Sequence, residues 1–454
     1  MNRRNFLKKS TLGTAALSVP VFLPASVLGR SGTPPPSDRI TMGCIGLGGQ
    51  GTWNMLGFAS QPDVTIIALC DVNSGSDDYD MLYQFPGSGR AGLIPAHERL
   101  NQFRIDHQIR PSDCRLFSDF RDLLSMQDID AVTVCTPDHW HGLISIAAAE
   151  AGKDIYCEKP LVNTIAEGRI LRDTVKQHGR ILQTGSHERS NDSIRFAYDL
   201  VHNGRIGQLK QIRVNMPNKD SQHLRMINNT AAQSPTRVPA GFDYNMWLGP
   251  APWVSYIHDR THFWWRYISA YGGGEMTDRG AHILDLAQFI NNADSTGPVQ
   301  INAAGKQLDN PLYDAFIEYQ FSCQYANGVE LIGTSEAPRG LKLIGTEGWI
   351  FIHIHGGRLE AEPQSLLREK FGPGEPMVER SPGHHRNFLD SIKLRRNPVA
   401  HIEIGHRTAT LCHLINIALE TDRPIQWDPD KEHITNDETA DRMLTRPMRS
   451  PWHL

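Results

Sequence analysis

The sequence predicts an α/β protein: a doubly wound parallel sheet in the first half of the chain, then a second domain with a sheet of its own. Three observations carry this reading. The apolar run Ile40–Ile45 breaks into glycines at 46, 48 and 51. A second apolar run, Val64–Cys70, ends in Asp71, about twenty residues past the last glycine. Strand-like and helix-like patterns then alternate as far as Pro160, which argues for parallel strands joined by helices. With 454 residues the chain is long enough for two or three domains at roughly 150 residues each. A formal charge of −4 with 21% charged residues carries no nucleic-acid footprint. Beyond the N-terminus no apolar run is long enough to span a bilayer. Seven cysteines without a C-x-x-C pair point to free thiols rather than a disulfide framework or a zinc site.

The glycines have separate duties. Gly46, Gly48 and Gly51 fit G-x-G-x-x-G at a strand end. The first allows the tight turn, the second lets a pyrophosphate approach the backbone, and the third lets the following helix pack closely. Gly49 and Gln50, between them, open that helix, whose free N–H groups hold phosphate. Asp71 stands where an acid binds the ribose hydroxyls, and no Arg or Lys at 72–76 meets a 2′-phosphate, which favours NAD over NADP. The competing reading is a glycine-rich turn and a surface acid at this spacing by chance.

The chain opens with Arg3 and Arg4 directly before Asn5-Phe6-Leu7-Lys8, then an apolar stretch to about Leu28. This basic-then-apolar order reads as an export signal over 1–30, and the paired arginines resemble a twin-arginine signal. An ordinary secretion signal or a small membrane anchor is the alternative. The twin-arginine route moves folded proteins, which suits a chain with a cytoplasmic nucleotide and unpaired thiols, so a periplasmic location is expected. Residues 31–38, with three consecutive prolines, read as a stiff linker.

After Asp71, residues 74–95 read as a long loop near the nucleotide site. Helices follow over 96–107 and 119–127, then a buried strand from Ile129 that ends in a proline turn at Pro137. Asp138 to His141 opens a helix over 142–151, closed by Gly152. Lys153–Cys157 is the next strand and runs into Glu158-Lys159-Pro160, which sets Lys159 at a carboxyl strand end, where ligands of such sheets bind. Proline directly after it fixes the backbone that aims the side chain.

The glycine turn, Thr136-Pro-Asp-His-Trp-His141, Ala151 through Glu158-Lys159-Pro160, and Asp278-Arg-Gly-Ala-His282 together resemble the glucose-fructose oxidoreductase/inositol dehydrogenase (Gfo/Idh/MocA) family over most of the chain after Asp38. The resemblance implies a Rossmann domain over 39–186 that binds NAD, with Glu158 and Lys159 beside the cofactor. It also implies a second, α+β domain over 187–440 with a large, mostly antiparallel sheet used for substrate and for dimer or tetramer contacts. It makes Lys159 catalytic, in contact with substrate and nicotinamide, and places Thr136, Pro137 and His141 on the nicotinamide side.

Helical pattern covers 164–178, Arg180–Thr184 is a further strand, and the polar loop 185–190 with His187 and Arg189 lies where substrate meets the sheet. A helix over 193–203 leads to the second sheet at Gln208–Val214, continued by Leu331–Ser335 and Trp349–His353. Asp278, His282 and Asp285 are spaced to share one face of a helix. On the family match His282 is the general base and Asp278 its partner. Without that match, a packed core histidine and a helix-start acid are an equal reading. Trp247, Trp253, Trp264, Trp265 and Tyr267 precede this helix, and such aromatics stack on sugar rings or fill cores. His187, Arg189, Trp265 and Arg266 are the candidate substrate binders, alongside Asp278 and His282. His139 with His141, His353 with His355, and His384 with His385 lack an evident further ligand, so no metal is expected. A helix over 384–392, another over 406–419 and a tail over 441–454 close the chain.

These readings predict an exported NAD-dependent oxidoreductase acting on a ring hydroxyl or ketone of a sugar or polyol, without nucleic-acid partners. The alternative is an NAD-dependent glycoside hydrolase that oxidises its sugar transiently. A non-catalytic sugar sensor is disfavoured by Lys159, Asp278 and His282 occurring together.

Overall fold

The computed structural model describes residues 35, 38–77, 79, 89–109, 112–217, 221–228 and 234–454. The export-signal reading of 1–30 and most of the 31–38 linker lie outside these residues, as do 78 and 80–88 of the 74–95 loop. Everything below concerns the unit Ile40–Leu454.

Six strands, β1 (Ile40–Ile45), β2 (Val64–Cys70), β3 (Arg115–Phe117), β4 (Ala131–Val134), β5 (Asp154–Cys157) and β6 (Leu182–Thr184), form the first sheet. Its order is β3-β2-β1-β4-β5-β6 and every pairing is parallel. The order reverses between β1 and β4, so the crevice for a ligand opens at the carboxyl ends of those two strands. The helices that follow the strands are α1 (Gly49–Ala59), α2 (Leu93–Asp106), α3 (Phe120–Leu124), α4 (Asp138–Glu150) and α5 (Ile165–Gln177). Strands β4 and β5 are buried at every position, as expected where helices cover both faces. Helix α4 starts at Asp138 directly after Pro137, four residues before the span read from sequence, and Gly152 ends the turn beyond it at φ +77°. Strand β3 was not read from sequence because three residues, two of them exposed, carry no periodicity.

Helix α6 (Asp192–His202) leads into the second sheet, whose strands are β7 (Leu209–Asn215), β8 (Pro298–Gln307), β9 (Phe316–Tyr325), β10 (Glu330–Thr334), β11 (Gly340–Gly345), β12 (Trp349–His353), β13 (Leu359–Glu362), β14 (Ile425–Asp428) and β15 (His433–Ile434). The order is β13-β12-β11-β7-β10-β9-β8-β14-β15, antiparallel except for the parallel pair of β7 and β10. In β9 the residues Ile317, Tyr319, Phe321, Cys323 and Tyr325 are buried and alternate with more exposed ones, the period of a strand with one face inward. Helices α7 (Ser221–Asn228) and α8 (Tyr244–Leu248) lie in the excursion between β7 and β8, with α9 (Arg279–Ile290) after them. Helix α9 is buried along its whole length and shares one core with Phe321, Leu331, Leu341 and Leu414. Each fully buried Leu or Ile there contributes roughly 1.5–3 kcal/mol, so α9 is a stiff platform for whatever its N-terminus carries.

The chain then returns to the first sheet. Phe388 and Leu389 of α10 (His384–Leu394) pack with Met42, Phe58 and Tyr156, and Arg386 pairs with Asp63 at 2.7 and 3.0 Å. Residues 400–401 lie along the free edge of β6, with Thr184 N–H donating to the Ala400 carbonyl at 2.8 Å. Helix α11 (Ile402–Thr421) begins a turn before the span read from sequence, and α12 (Glu438–Arg442) precedes the tail. Trp452 of the tail packs edge-on against Trp140, ring centroids 4.7 Å apart. All seven cysteines are free thiols. None of the described helices is long and apolar enough to cross a membrane.

Candidate active site

The glycine turn after β1 is sterically closed. A Cβ on Gly51 would sit 1.8 Å from the Gly46 carbonyl oxygen, and one on Gly46, at φ +82°, would sit 2.6 Å from the Cys135 backbone. Gly48 differs, because a Cβ there meets nothing nearer than the Tyr79 ring at 3.6 Å. Its open side faces a cavity of about 820 Å³, which also reaches Gly49, Gln50 and Asp71. Asp71 accepts hydrogen bonds from Leu47 N–H at 2.6 Å and Asn73 N–H at 2.8 Å. Burial outweighs these bonds and pushes its carboxyl up to about 6. A side-chain-free cradle at a helix start with a carboxylate at the neighbouring strand end fits a pyrophosphate and a ribose diol.

The turns after β4 and β5 are tied together. His141 lies with Nδ1 2.7 Å from the Pro160 carbonyl and Nε2 2.8 Å from the Thr136 carbonyl, and burial holds its pKa down. It shares the cavity wall with Thr136 and Pro137. Glu158 accepts from Asn54 Nδ2 at 2.7 Å and Gln50 Nε2 at 3.1 Å, so the first two turns of α1 brace the Glu158-Lys159-Pro160 segment.

Lys159 reaches across the cavity to the N-terminus of α9. Its Nζ donates to Asp278 Oδ1 at 2.6 Å and to the Asp278 carbonyl at 3.1 Å. Arg266 Nε lies 3.3 Å from the same carboxylate oxygen, and its guanidinium stacks over Trp265 at 4.4 Å. Burial alone would raise the Asp278 carboxyl, but the Lys159 ammonium and Arg266 guanidinium override it and hold it far below the usual range. Burial, reinforced by Lys159, keeps His282 well below the ordinary imidazole range and therefore neutral. Its Nδ1 is buried without a hydrogen-bond partner among the described residues.

The structure brings Lys159, His187, Trp265, Arg266, Asp278 and His282 to one cavity shared with the glycine turn. Two sequence readings need correction. Asp278 is the residue before α9, at φ −82° and ψ −80°, so it leaves the helical face that its spacing suggested. Its carboxylate pairs with Lys159 and Arg266 rather than with His282. Arg189 is 1% exposed and binds Asp285 at 2.7 Å and Asp294 at 2.7 and 2.8 Å, with its guanidinium over Phe289 at 4.8 Å. It is a core ion network that also takes up Asp285, not a hydroxyl binder. Sequence reasoning also missed Asp138 as a site residue. It lines the cavity, and burial pushes it well above the carboxylate range despite nearby Lys159 and Arg266. Its position right after the Thr136-Pro137 turn was the available signal. The histidine pairs are mostly structural: His139 Nε2 meets the Trp247 carbonyl at 2.9 Å, His384 Nε2 the Thr184 carbonyl at 2.9 Å, and His385 Nε2 Asn54 Oδ1 at 2.9 Å.

Comparison with known proteins bears on the fold and the family. Levoglucosan dehydrogenase of Pseudarthrobacter phenanthrenivorans is 26% identical over 262 residues, 53% of this chain and 56% of that protein. A glycosyl hydrolase family 109 protein of a Shewanella species is 29% identical over 193 residues, 39% of this chain and 37% of that protein. The chain spans about three fifths of the length of the first curated relatives it matches. The WlbA dehydrogenase from Bordetella pertussis, solved with NADH and UDP-GlcNAcA, shares the fold at a TM-score of 0.59 and 16% identity, over 86% of this chain and 99% of that one. Residues 93–186 match the oxidoreductase-family model of the NAD-binding Rossmann fold, a span that starts after the glycine turn. With residues 193–454 matching that family's C-terminal alpha/beta domain, the chain belongs to the Gfo/Idh/MocA oxidoreductase family and carries its NAD-binding domain.

Proposed function

We propose that the protein is an exported NAD-dependent oxidoreductase that oxidises a ring hydroxyl of a sugar or polyol, or reduces the matching ketone. The observation that carries this reading is the convergence of Lys159, Arg266, Asp278 and His282 on the cavity that also holds the glycine turn and Asp71. When bound, the nicotinamide supplies the hydride acceptor. The residues of the chain supply the rest. His282, neutral and on the cavity wall, accepts the hydroxyl proton. Lys159 has three donors, of which Asp278 takes two, and the third stabilises the oxygen as negative charge builds. Asp278 holds the ammonium in place, while Arg266 beside it keeps the local balance positive. Trp265, whose ring bears the Arg266 guanidinium, offers an apolar wall for a sugar ring.

A second reading, redox-neutral cleavage of a glycoside by the same residues with only transient oxidation, is supported by the family 109 relative. Export rests on the N-terminal sequence alone, and a dimer or tetramer on family expectation. The test is to purify the folded protein and supply NAD with free saccharides or with nitrophenyl glycosides. Growth of reduced-nicotinamide absorbance with free sugars is the expected result. Aglycone release without net reduction selects the hydrolase, and silence in both assays refutes the enzyme.

A further inference from the structure

Two further histidines, His187 and His355, stand on the wall of the same cavity with the buried Glu188 behind them. His187 and Glu188 belong to the short 3-10 turn His187–Ser190 after β6, and His355 sits at the tip of the hairpin between β12 and β13. One ligand atom from each lies within 4.8 Å of the others. Glu188 Oε1 is 3.2 Å from His355 Nδ1 and 3.6 Å from His187 Nε2, and it also accepts the His355 backbone N–H at 3.1 Å. His355 adopts φ +60°, the left-handed region that a residue with a Cβ pays roughly 1–2 kcal/mol to enter. The hairpin tip is thus held in a costly conformation against this carboxylate.

We infer that His187, Glu188 and His355 form a site for a first-row divalent transition cation such as zinc, with an open position on the substrate cavity. Two imidazole nitrogens and one carboxylate oxygen are a donor set such ions take, leaving a fourth place for water or a substrate oxygen. Charge points the same way. The Glu188 side chain is 4% exposed, and its ion-pair partners are two imidazoles, neither a permanent cation. A buried carboxylate is costly without a compensating charge, which a divalent cation supplies. Tetrahedral bonds of about 2.0–2.1 Å set ligand atoms roughly 3.3 Å apart, so atoms that lie within 4.8 Å of one another close in by up to about 1.5 Å. Both imidazoles can do so, since the side chains of His187 and His355 are 40% and 42% exposed. His282 packs edge-on against both rings, at 4.9 and 5.3 Å between centroids. An ion here would therefore hold a second oxygen of the sugar beside the carbon that His282 and Lys159 address.

The site is testable on the full chain without cofactor or sugar, so its failure and that of the proposed activity are separable. Protein stripped with a chelator is dialysed against zinc and assayed for bound metal, and titrated with cobalt while its visible absorption is followed. One zinc per chain is expected, with a cobalt spectrum typical of four or five ligands. His187→Ala and His355→Asn, the latter chosen because Asn tolerates the left-handed backbone, should each weaken binding by more than the roughly 10–100-fold that outer-shell partners are worth. Both positions are half exposed, so the melting temperature of each metal-free variant should stay near that of the wild type. Substoichiometric binding by the wild type, or wild-type affinity in either variant, overturns the assignment.

Discussion

Replacing Lys159 by Met keeps an unbranched side chain of similar length and removes the ammonium. The variant loses the bonds to Asp278 Oδ1 at 2.6 Å and to its carbonyl at 3.1 Å, together with the third donor assigned to the substrate oxygen. A preorganised donor to a developing oxyanion is worth roughly 100- to 1,000-fold in kcat, about 2.7–4 kcal/mol, and the missing charge takes the effect to the upper end. Stability falls less than the roughly 3–5 kcal/mol typical of a broken buried pair, because Arg266 remains 3.3 Å from Asp278. The acid limb also moves. Asp278 has a depressed folded pKa, so its contribution to stability is present above its unfolded value and lost as pH falls through the folded one. Removing Lys159 raises that folded pKa, and the variant should lose stability at a higher pH than the wild type. The assay is kcat/KM for the saccharide that the wild type turns over, with nucleotide affinity measured by tryptophan quenching and melting followed from pH 3 to 8. A kcat/KM within about threefold of the wild type, or a loss explained wholly by weaker nucleotide binding, would refute the role.

Gly51→Ala and Gly48→Ala separate two uses of one turn. The first puts a Cβ 1.8 Å from a carbonyl oxygen and should lower both melting temperature and NAD affinity. The second meets nothing within 3.5 Å and should leave melting unchanged while NAD binding weakens about tenfold or more, so equal melting losses in both would contradict the assignment. For Asp71, near 6 in the fold, the signs oppose. The raised pKa gives apo stability that is lost as pH rises through about 6, whereas ribose binding needs the carboxylate and is gained over the same interval. Calorimetry of NAD binding from pH 5 to 8 checks this, and Asp71→Asn should flatten both trends. Arg189→Met breaks a buried network and should cost about 3–5 kcal/mol in urea unfolding with KM for the sugar unchanged; a raised KM at unaltered stability would restore the hydroxyl-binding reading.

The first sheet was legible because its strands are buried runs and its turns carry glycine and proline, signals local to a few residues. Lys159 was legible for the same reason, as a strand end before proline. The partnership of Asp278 was not. Spacing put it one turn from His282, but the residue before a helix follows non-helical dihedrals, and its carboxylate went to charges from 119 and 12 residues away. Arg189 was misplaced because a polar loop at a strand end reads alike whether its arginine faces solvent or, as here, a buried acid on α9. The histidines were paired by adjacency, whereas His355 meets Glu188 across 167 residues, a contact set by where a hairpin tip falls. Most of the second sheet escaped although β9 alternates from Ile317 to Tyr325; its outer strands β13, β14 and β15 are only 4, 4 and 2 residues long, too short to carry a period.

Helix α10 has a consequence for how the protein comes to exist. The hydrophobic patch formed by Met42, Phe58 and Tyr156 is sealed by Phe388 and Leu389, which emerge from the ribosome more than two hundred residues after the last strand that they cover. His385 of the same helix also grips Asn54, the side chain that braces Glu158. A fragment stopped at residue 186 would leave that face greasy and its nucleotide cleft slack. The two halves should therefore melt in one cooperative step, and the nucleotide-binding half should aggregate when expressed alone.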